Sequence, residues 1–284
     1  EQIKALRGQF AYAFAGGGAQ AGISAIREFD SFTISADAIH AFDTGSWTLG
    51  LRLAASFGHD PLRGRAFMAR PGIAGQGAVA ARAYHDRDGD CRFSDQDLPL
   101  GEVDVIAFNQ SVSTRADGTA LLAGLGAGQR VSLQLDSASL PDIALAPASG
   151  GIEIIARPGR VHRADFAVVA LSELEGTVLF TPEGGAARGV SGVRLQLVRD
   201  GAAAATAADE RELWARSEVG GYVYFEQVRP GAYQLLLDPA QAERLNLCLA
   251  GDNQLQVGNE SDLLSFEVDL RPCPVSAERV AIAH

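Results

Sequence analysis

Residues 217–238 read Ser217-Glu-Val-Gly-Gly221-Tyr-Val-Tyr-Phe-Glu-Gln-Val228-Arg-Pro-Gly231-Ala-Tyr-Gln-Leu-Leu-Leu-Asp238. Two runs rich in aromatic and branched residues flank an Arg-Pro-Gly turn, which predicts two short β-strands joined by a tight connection. A similar stretch, residues 114–136, lies 103 residues earlier and carries Gly118 and Gly128 where the later stretch has Gly221 and Gly231. A repeat of this length indicates tandem domains.

The repeat extends in both directions along the chain. We predict a β-sandwich at residues 78–170 (module 1) and another at residues 171–284 (module 2), each with six or seven short strands. The repeated glycines suit tight turns that require positive φ. We expect core packing for the sheet-face residues of the repeat, which are Val131, Leu133, Leu135, Tyr222 and Tyr224.

Module 2 resembles the carboxypeptidase regulatory-like and SdrD B-like modules. The resemblance rests on Gly192-Val193, Gly221-Tyr222-Val223-Tyr224-Phe225 and Pro230-Gly231-Ala232-Tyr233. Module 1 departs from the pattern at Thr119-Ala120-Leu121 and at Gln129-Arg130. The resemblance implies an immunoglobulin-like or transthyretin-like sandwich that serves as a spacer, an adhesion module or a folding accessory, without peptidase activity.

Residues 1–57 predict four antiparallel strands. In Trp47-Thr-Leu-Gly-Leu-Arg-Leu-Ala-Ala-Ser-Phe57, large apolar side chains occupy every second position, which is typical of a strand. The same alternation marks Phe32–Ala38 and Phe10–Phe14, and Gly16-Gly17-Gly18 turns the chain into a strand at Ala19–Arg27.

Strands of this length with aromatic ends resemble the last strands of bacterial outer-membrane barrels, in which Trp47 and Phe57 would lie near the two membrane interfaces. The alternative is a soluble sandwich. Four strands cannot close a barrel, so the membrane interpretation implies a C-terminal part of a larger protein or an assembly. A barrel end followed by two sandwich modules also resembles an outer-membrane usher of pilus assembly.

Residues 58–77 are rich in Gly, Pro and Arg and predict a linker. Its arginines, Arg63, Arg65 and Arg70, would either meet lipid phosphates at a barrel mouth or remain solvated.

An acidic loop after the first strand of module 1 predicts a calcium site. The sequence Asp86-Arg-Asp88-Gly-Asp90-Cys-Arg92-Phe-Ser94-Asp-Gln-Asp97 has the oxygen spacing of a calcium loop. The predicted ligands are the side chains of Asp86, Asp88, Asp90, Ser94 and Asp97 with the carbonyl of Arg92. Two departures are Cys91 where glycine is usual and a final Asp in place of Glu. The alternative is a polar turn without an ion.

The formal charge of −11 argues against nucleic-acid binding. Cys248 and Cys273 either form a disulfide or remain thiols, and no nucleophile or nucleotide motif stands out. We therefore predict a non-enzymatic outer-membrane usher-like protein whose periplasmic modules bind pilus subunits or chaperone–subunit complexes. The alternative is a calcium-stiffened, adhesin-like array at the cell surface that binds surface ligands. A third hypothesis is an enzyme with a shallow glycan site.

Overall fold

The computed structural model of the protein describes residues 5–13, 18–29, 31–69, 71, 75–108, 110–182, 184–200 and 213–273. These residues are almost entirely β-structure, and the sandwich-like modules follow an N-terminal antiparallel sheet, as the sequence predicts. No helix in the described ranges has the length and hydropathy to span a bilayer.

The chain divides into two compact units. The first comprises Glu1–Arg82, Asp104–Gln134 and Gly151–Asp165, and the second comprises Ala83–Val103, Leu135–Gly150 and Phe166–His284. These units do not test the boundaries at residues 57, 77 and 170, which stay a prediction.

The N-terminal sheet has the four predicted strands in the order β1-β2-β3-β4, each antiparallel to the next. They are β1 (Ala5–Ala13), β2 (Gly18–Glu28), β3 (Thr33–Ala41) and β4 (Ser46–Ala54). Most of the predicted glycine turn, at Gly16 and Gly17, lies outside the described residues.

The strand predicted for Trp47–Phe57 is too long. It ends at Ala54, and Phe57 belongs to a separate hairpin of β5 (Ser56–Asp60) and β6 (Arg65–Ala69), where it pairs with Met68. Asp60 explains the change of partner, because its Oδ1 accepts the backbone N–H groups of Leu62 and Arg63 and closes the turn.

The hairpin occupies most of the segment predicted as a linker. Arg63 is not free, since its Nε lies 3.2 Å from Asp117 Oδ2. Arg65 begins β6, and Arg70 lies outside the described residues.

Module 1 contains two sheets. One has the order β10-β9-β12-β14, and the other has the order β11-β7-β15-β13 with β8 beside β7. The strands are β7 (Ala78–His85), β8 (Leu98–Pro99), β9 (Asp104–Ala107), β10 (Gln110–Ser113), β11 (Thr119–Ala123), β12 (Arg130–Leu135), β13 (Leu145–Pro147), β14 (Ile152–Ile155) and β15 (Val161–Ala170).

Module 2 repeats this arrangement strand for strand. Its sheets have the orders β19-β18-β21-β23 and β20-β16-β24-β22, with β17 beside β16. The elements are β16 (Ser172–Phe180), β17 (Arg188–Gly189), β18 (Arg194–Arg199), β19 (Leu213–Arg216), β20 (Tyr222–Val228), β21 (Gly231–Leu237), α1 (Pro239–Leu245), β22 (Leu247–Ala250), β23 (Gln254–Val257) and β24 (Leu263–Pro272).

The first and last strands of module 2 pair in parallel. β16 and β24 stay in register over eight residue pairs, from Glu173–Leu263 to Phe180–Leu270. Parallel neighbours need a long crossover, and here the rest of the module supplies it. The pairing therefore joins the first and last strands described for module 2.

Module 2 has its own hydrophobic core, because the inward side chains of both its sheets are apolar. Burying each large aliphatic side chain contributes about 1.5–3 kcal/mol. The buried cluster consists of Leu174, Val178, Val193, Leu195, Leu197, Val223, Phe225, Val228, Tyr233, Leu235, Val257, Val268 and Leu270.

The predicted core role holds for Val131, Leu133 and Leu135, which are buried in β12. The prediction is wrong for Tyr222 and Tyr224, because Val223 and Phe225 occupy the inward positions of β20. The two tyrosines therefore lie on the outer face of the sheet.

Cys248 and Cys273 form a disulfide, with their Cα atoms 5.0 Å apart, whereas Cys91 is free and exposed. The bond joins β22 to the residue that follows β24, across a sequence separation of 25 residues. Loop closure of this length stabilises a domain by about 3 to 4 kcal/mol.

The repeated glycines adopt positive φ, as predicted. Gly118, Gly128 and Gly221 have φ values of 73°, 77° and 86°. At Gly221 the chain also passes close to its neighbours, since a Cβ there would clash with the carbonyl oxygen of Val178.

We expect Gly221→Ala to lower the free energy of unfolding by at least about 2 kcal/mol more than Gly220→Ala. Both positions have positive φ, but a Cβ at Gly220 would meet no atom within 4 Å. Urea unfolding of the two variants measures the difference. Equal losses would show that the Val178 carbonyl does not approach Gly221 closely.

Candidate functional site

The register of the N-terminal sheet places its large apolar side chains on one face. Because directly paired residues share a face, Phe10, Ala21, His40 and Trp47 form one row across the four strands. The full set, called the apolar face, is Leu6, Gly8, Phe10, Tyr12, Ala19, Ala21, Ile23, Ala25, Arg27, Ile34, Ala36, Ala38, His40, Trp47, Leu49, Leu51 and Leu53. Its one permanently charged member, Arg27, lies near the end of β2 with its guanidinium over the Phe29 ring.

This apolar face is open. Leu49 and Leu51 are 77% and 80% exposed, and Phe10 and Trp47 are about as open at 70% and 67%. Soluble monomers rarely leave a large contiguous apolar surface in water. A surface of this kind marks contact with a membrane or with another protein.

The opposite face of the same sheet is polar. Its central row consists of Arg7, Ser24, Asp37 and Gly50. Gly50 leaves space for its neighbour, since a Cβ there would lie 2.5 Å from Asp37 Oδ2. Gln9, Thr48 and Arg52 add further polar groups to this face.

Aromatic rings gather at the two ends of the sheet. At one end His40 stacks on Trp47, with ring centroids 4.6 Å apart, and meets the edge of Phe42. At the other end Phe29 stacks on Phe32 in the connection between β2 and β3. Trp47 thus lies at an end of the sheet, whereas Phe57 is not part of it.

In the acidic loop, Asp86 and Asp97 are buried and hold the backbone. The two carboxylate oxygens of Asp86 accept the N–H groups of Gly89 and Cys91, both at 2.9 Å. Those of Asp97 accept the N–H groups of Arg87 and Ser94, at 3.0 and 2.7 Å. These two carboxylates therefore determine the path of the loop.

The structure brings three of the predicted ligands together. Asp86, Asp88 and Asp97 can each place one oxygen within 4.8 Å of the others. Asp88 is exposed, and a hydrogen bond from the backbone N–H of Asp90 lowers its pKa, which keeps it ionised. Calcium takes six to eight oxygens, so the three carboxylates fit as a partial ligand set.

Two further predicted ligands, Asp90 and Ser94, form hydrogen bonds within the same loop. Asp90 is exposed, and its Oδ1 accepts the backbone N–H of Arg92 at 2.7 Å. The hydroxyl of Ser94 donates to Asp88 Oδ2 at 3.2 Å. Asp90 therefore orders the turn, and its role as a calcium ligand stays a prediction.

Cys91 adopts the backbone conformation that glycine usually has at this position of a calcium loop. Its φ is 56°, in the left-handed region that calcium loops require at this position. Loss of hydration at the thiol and the nearby Asp86 carboxylate raise the pKa of Cys91, so the thiolate is scarce at neutral pH. Next to the loop, burial and Arg87 lower the pKa of His85, which favours its neutral form.

The acidic loop also contacts module 2. Arg87 Nη2 donates to Glu260 Oε1 at 3.3 Å, and Asn259 Nδ2 donates to the carbonyl oxygen of Arg87 at 3.3 Å. This contact has no local sequence signal, because 172 or more residues separate the partners.

Comparison with known proteins gives limited similarity. No family model and no curated protein sequence matches the chain. Among solved structures, the minor pilin GBS52 of Streptococcus agalactiae is 10% identical, with 70% of this chain and 98% of that chain covered at a TM-score of 0.36. A streptococcal ancillary pilin is 10% identical, with coverages of 90% and 76% and a TM-score of 0.36.

The E. coli P pilus tip assembly intermediate PapC-PapD-PapK-PapG is 16% identical, with 94% of this chain covered at a TM-score of 0.42. The match spans only 28% of that chain. All three TM-scores lie below 0.5, so these similarities carry no part of the functional argument.

We expect Asp86→Ala to lower the free energy of unfolding by about 2 to 4 kcal/mol without added metal, because two buried backbone donors lose a charged acceptor. Asp90→Ala, which removes an exposed carboxylate of the same loop, should have a much smaller effect. Urea unfolding in EDTA compares them. Equal destabilisation would mean that Asp86 does not organise the loop.

Proposed function

We propose that this chain is part of a non-enzymatic, outer-membrane protein of usher-like type. In this proposal the N-terminal sheet lies in the membrane, and the two periplasmic modules bind protein partners during the assembly of surface fibres. The observation that carries the proposal is the open apolar face of β1–β4.

The two faces of the sheet match the two environments of a transmembrane barrel wall. Lipid-facing and lumen-facing residues alternate along such strands, and aromatic residues collect at the interfaces. The polar row of Arg7 and Asp37 would then face water, while Leu49 and Leu51 would contact lipid chains.

Strands β1 and β4 each have one neighbour within the described sheet. In hydrocarbon, unpaired backbone groups cost several kcal/mol each. The proposal therefore requires further strands at both edges, supplied by a longer chain or by an assembly. The Cys248–Cys273 disulfide supports a location in an oxidising compartment, such as the periplasm.

The partners proposed for the modules are pilus subunits or chaperone–subunit complexes. The repeated sandwich offers exposed strand edges and outer sheet faces, which are common sites of protein recognition. A P pilus assembly complex and two pilins are among the similar folds, but the similarity is too low to support this choice of partners.

We expect the full chain to float with phosphatidylcholine vesicles, and Leu49→Gln/Leu51→Gln/Leu53→Gln to reduce the bound fraction more than tenfold. Each leucine contributes about 1.5–3 kcal/mol when buried in hydrocarbon. The matched control is Thr48→Gln/Arg52→Gln on the polar face of the same strand, which should float like the parent protein. A parent chain that stays monomeric in detergent-free buffer and does not float would contradict the membrane proposal.

A second candidate function is a calcium-stiffened, adhesin-like array at the cell surface. The close approach of Asp86, Asp88 and Asp97 favours it, together with the contacts of Arg87 to Glu260 and Asn259. Calcium held by these carboxylates would order the loop and strengthen its contact with module 2.

We expect millimolar calcium to raise the melting temperature, because an ion that binds only the folded state stabilises it. Asp88→Ala is the sharper test, since Asp88 is exposed and its loss should leave the apo fold intact. The variant should lose the calcium shift. A shift that persists in Asp88→Ala, or no shift in the parent protein, would contradict a calcium site in this loop.

A further inference from the structure

The outer face of one sheet in module 2 combines tyrosines and glutamates. Core residues of β16 and β20, such as Leu174 and Phe225, point inward, so their sequence neighbours point outward. The central outward residues, called the tyrosine–glutamate face, are Glu173, Glu175, Thr177, Tyr222, Tyr224, Glu226, Ser265 and Glu267. Leu179, Leu263, Asp269 and Arg271 occupy the remaining outward positions of β16 and β24.

The two tyrosine rings form an ordered platform. Their centroids lie 6.5 Å apart with an angle of 13° between the planes, and Tyr222 is 43% exposed. A hydrogen bond with Glu173 raises the pKa of Tyr224 to about 12, so the hydroxyl remains a donor at any physiological pH. The Tyr224 hydroxyl therefore stays neutral, and the exposed Tyr222 ring is open to a ligand.

Carboxylates surround the platform on all three strands. Glu175 lies between Tyr224 of β20 and Ser265 of β24, and the Ser265 hydroxyl donates to Glu175 Oε1 at 3.0 Å. Glu173 and Glu267 are exposed on the flanking rows.

The carboxylates of the tyrosine–glutamate face are not neutralised by ion pairs within the part of the chain that the structure describes. Among the described residues, no ion pair is formed by Glu173, Glu175, Glu226 or Glu267. Arg271 of β24 is engaged with Asp269 at 2.9 Å. Like charges gathered on one sheet face raise the energy of the free protein, and a bound cation would relieve that repulsion.

The combination of open aromatic rings and unpaired carboxylates selects a cationic occupant. Arginine and lysine side chains bind over tyrosine faces and pair with carboxylates. An extended segment presents alternate side chains to one side, which matches the flat rows of a sheet. A single metal ion does not explain the tyrosines, because calcium takes oxygen ligands and gains nothing from aromatic faces.

We propose that the tyrosine–glutamate face docks a basic, extended segment of a protein partner. Its arginine or lysine side chains lie over Tyr222 and Tyr224 and pair with Glu173, Glu175 and Glu267. This inference rests on the proposed function of the modules as partner-binding domains, and it names the chemistry of the partner.

The test measures binding of a hexa-arginine peptide to the full chain in an uncharged detergent. We expect saturable binding that weakens at least tenfold between 50 and 300 mM salt, since paired charges are screened. Glu173→Gln/Glu175→Gln should weaken binding at least tenfold. Glu102→Gln/Glu243→Gln, which removes the same charge from exposed positions elsewhere, should leave it unchanged.

A second variant separates the platform from the charges. Tyr222→Leu retains every carboxylate and should still weaken binding several-fold, whereas Tyr222→Phe should retain most of it. Equal losses in the two glutamate variants would show attraction by net charge alone and would overturn the inference. Absent binding to the parent chain, or equally tight binding of spermine, would overturn it as well. None of these results depends on vesicle flotation, so the membrane proposal and this inference fail separately.

Discussion

The antiparallel register of β1–β4 determines which side chains of the N-terminal sheet share a face. Side chains in a strand alternate with period two, so the pairing of four strands in register gathers their apolar residues on one face. A shift of one residue in β4 would place its leucines on the same face as Arg7 and Asp37. The register therefore creates one predominantly apolar and one polar surface on a single sheet.

The modules bury their apolar side chains, whereas the N-terminal sheet leaves them exposed. In module 2, two sheets cover each other, and Leu195, Leu197 and Leu235 are buried between them. The parallel pairing of β16 with β24 joins the first and last strands described for the module, and the disulfide fixes the last of these strands next to β22. The N-terminal strands leave Leu49 and Leu51 open instead, which is why their environment must come from outside the sheet.

Much of this architecture could be predicted from the sequence, because alternation and turn residues are local signals. The strands β1–β4 and the positive φ of Gly118 and Gly221 follow from such signals. Phe57 was misplaced, because period-two alternation continues through Ala55 and does not reveal that Ser56 changes its partner to Ala69. The hairpin turn depends on the Asp60 side chain, which composition alone does not reveal.

The candidate sites also differ in whether a local sequence signal predicts them. The spacing of Asp86, Asp88 and Asp97 is local, and the structure brings these three carboxylates together. The tyrosine–glutamate face was not predictable, because it joins strands about 90 residues apart through a parallel pairing. The expectation of core packing for Tyr222 also argued against such a face. A strand pattern predicts which residues alternate, but not which of the two sides faces the core.

The central claim is that β4 presents one face to lipid and the other to water. The most direct measurement uses nitroxide labels placed singly at residues 48, 49, 51 and 52 of the full chain, in a Cys91→Ser background in lipid vesicles. The account predicts that oxygen dissolved in the bilayer reaches the labels at 49 and 51, while a water-soluble nickel complex reaches those at 48 and 52. Nickel access to 49 and 51 equal to that at 48 and 52 would contradict it.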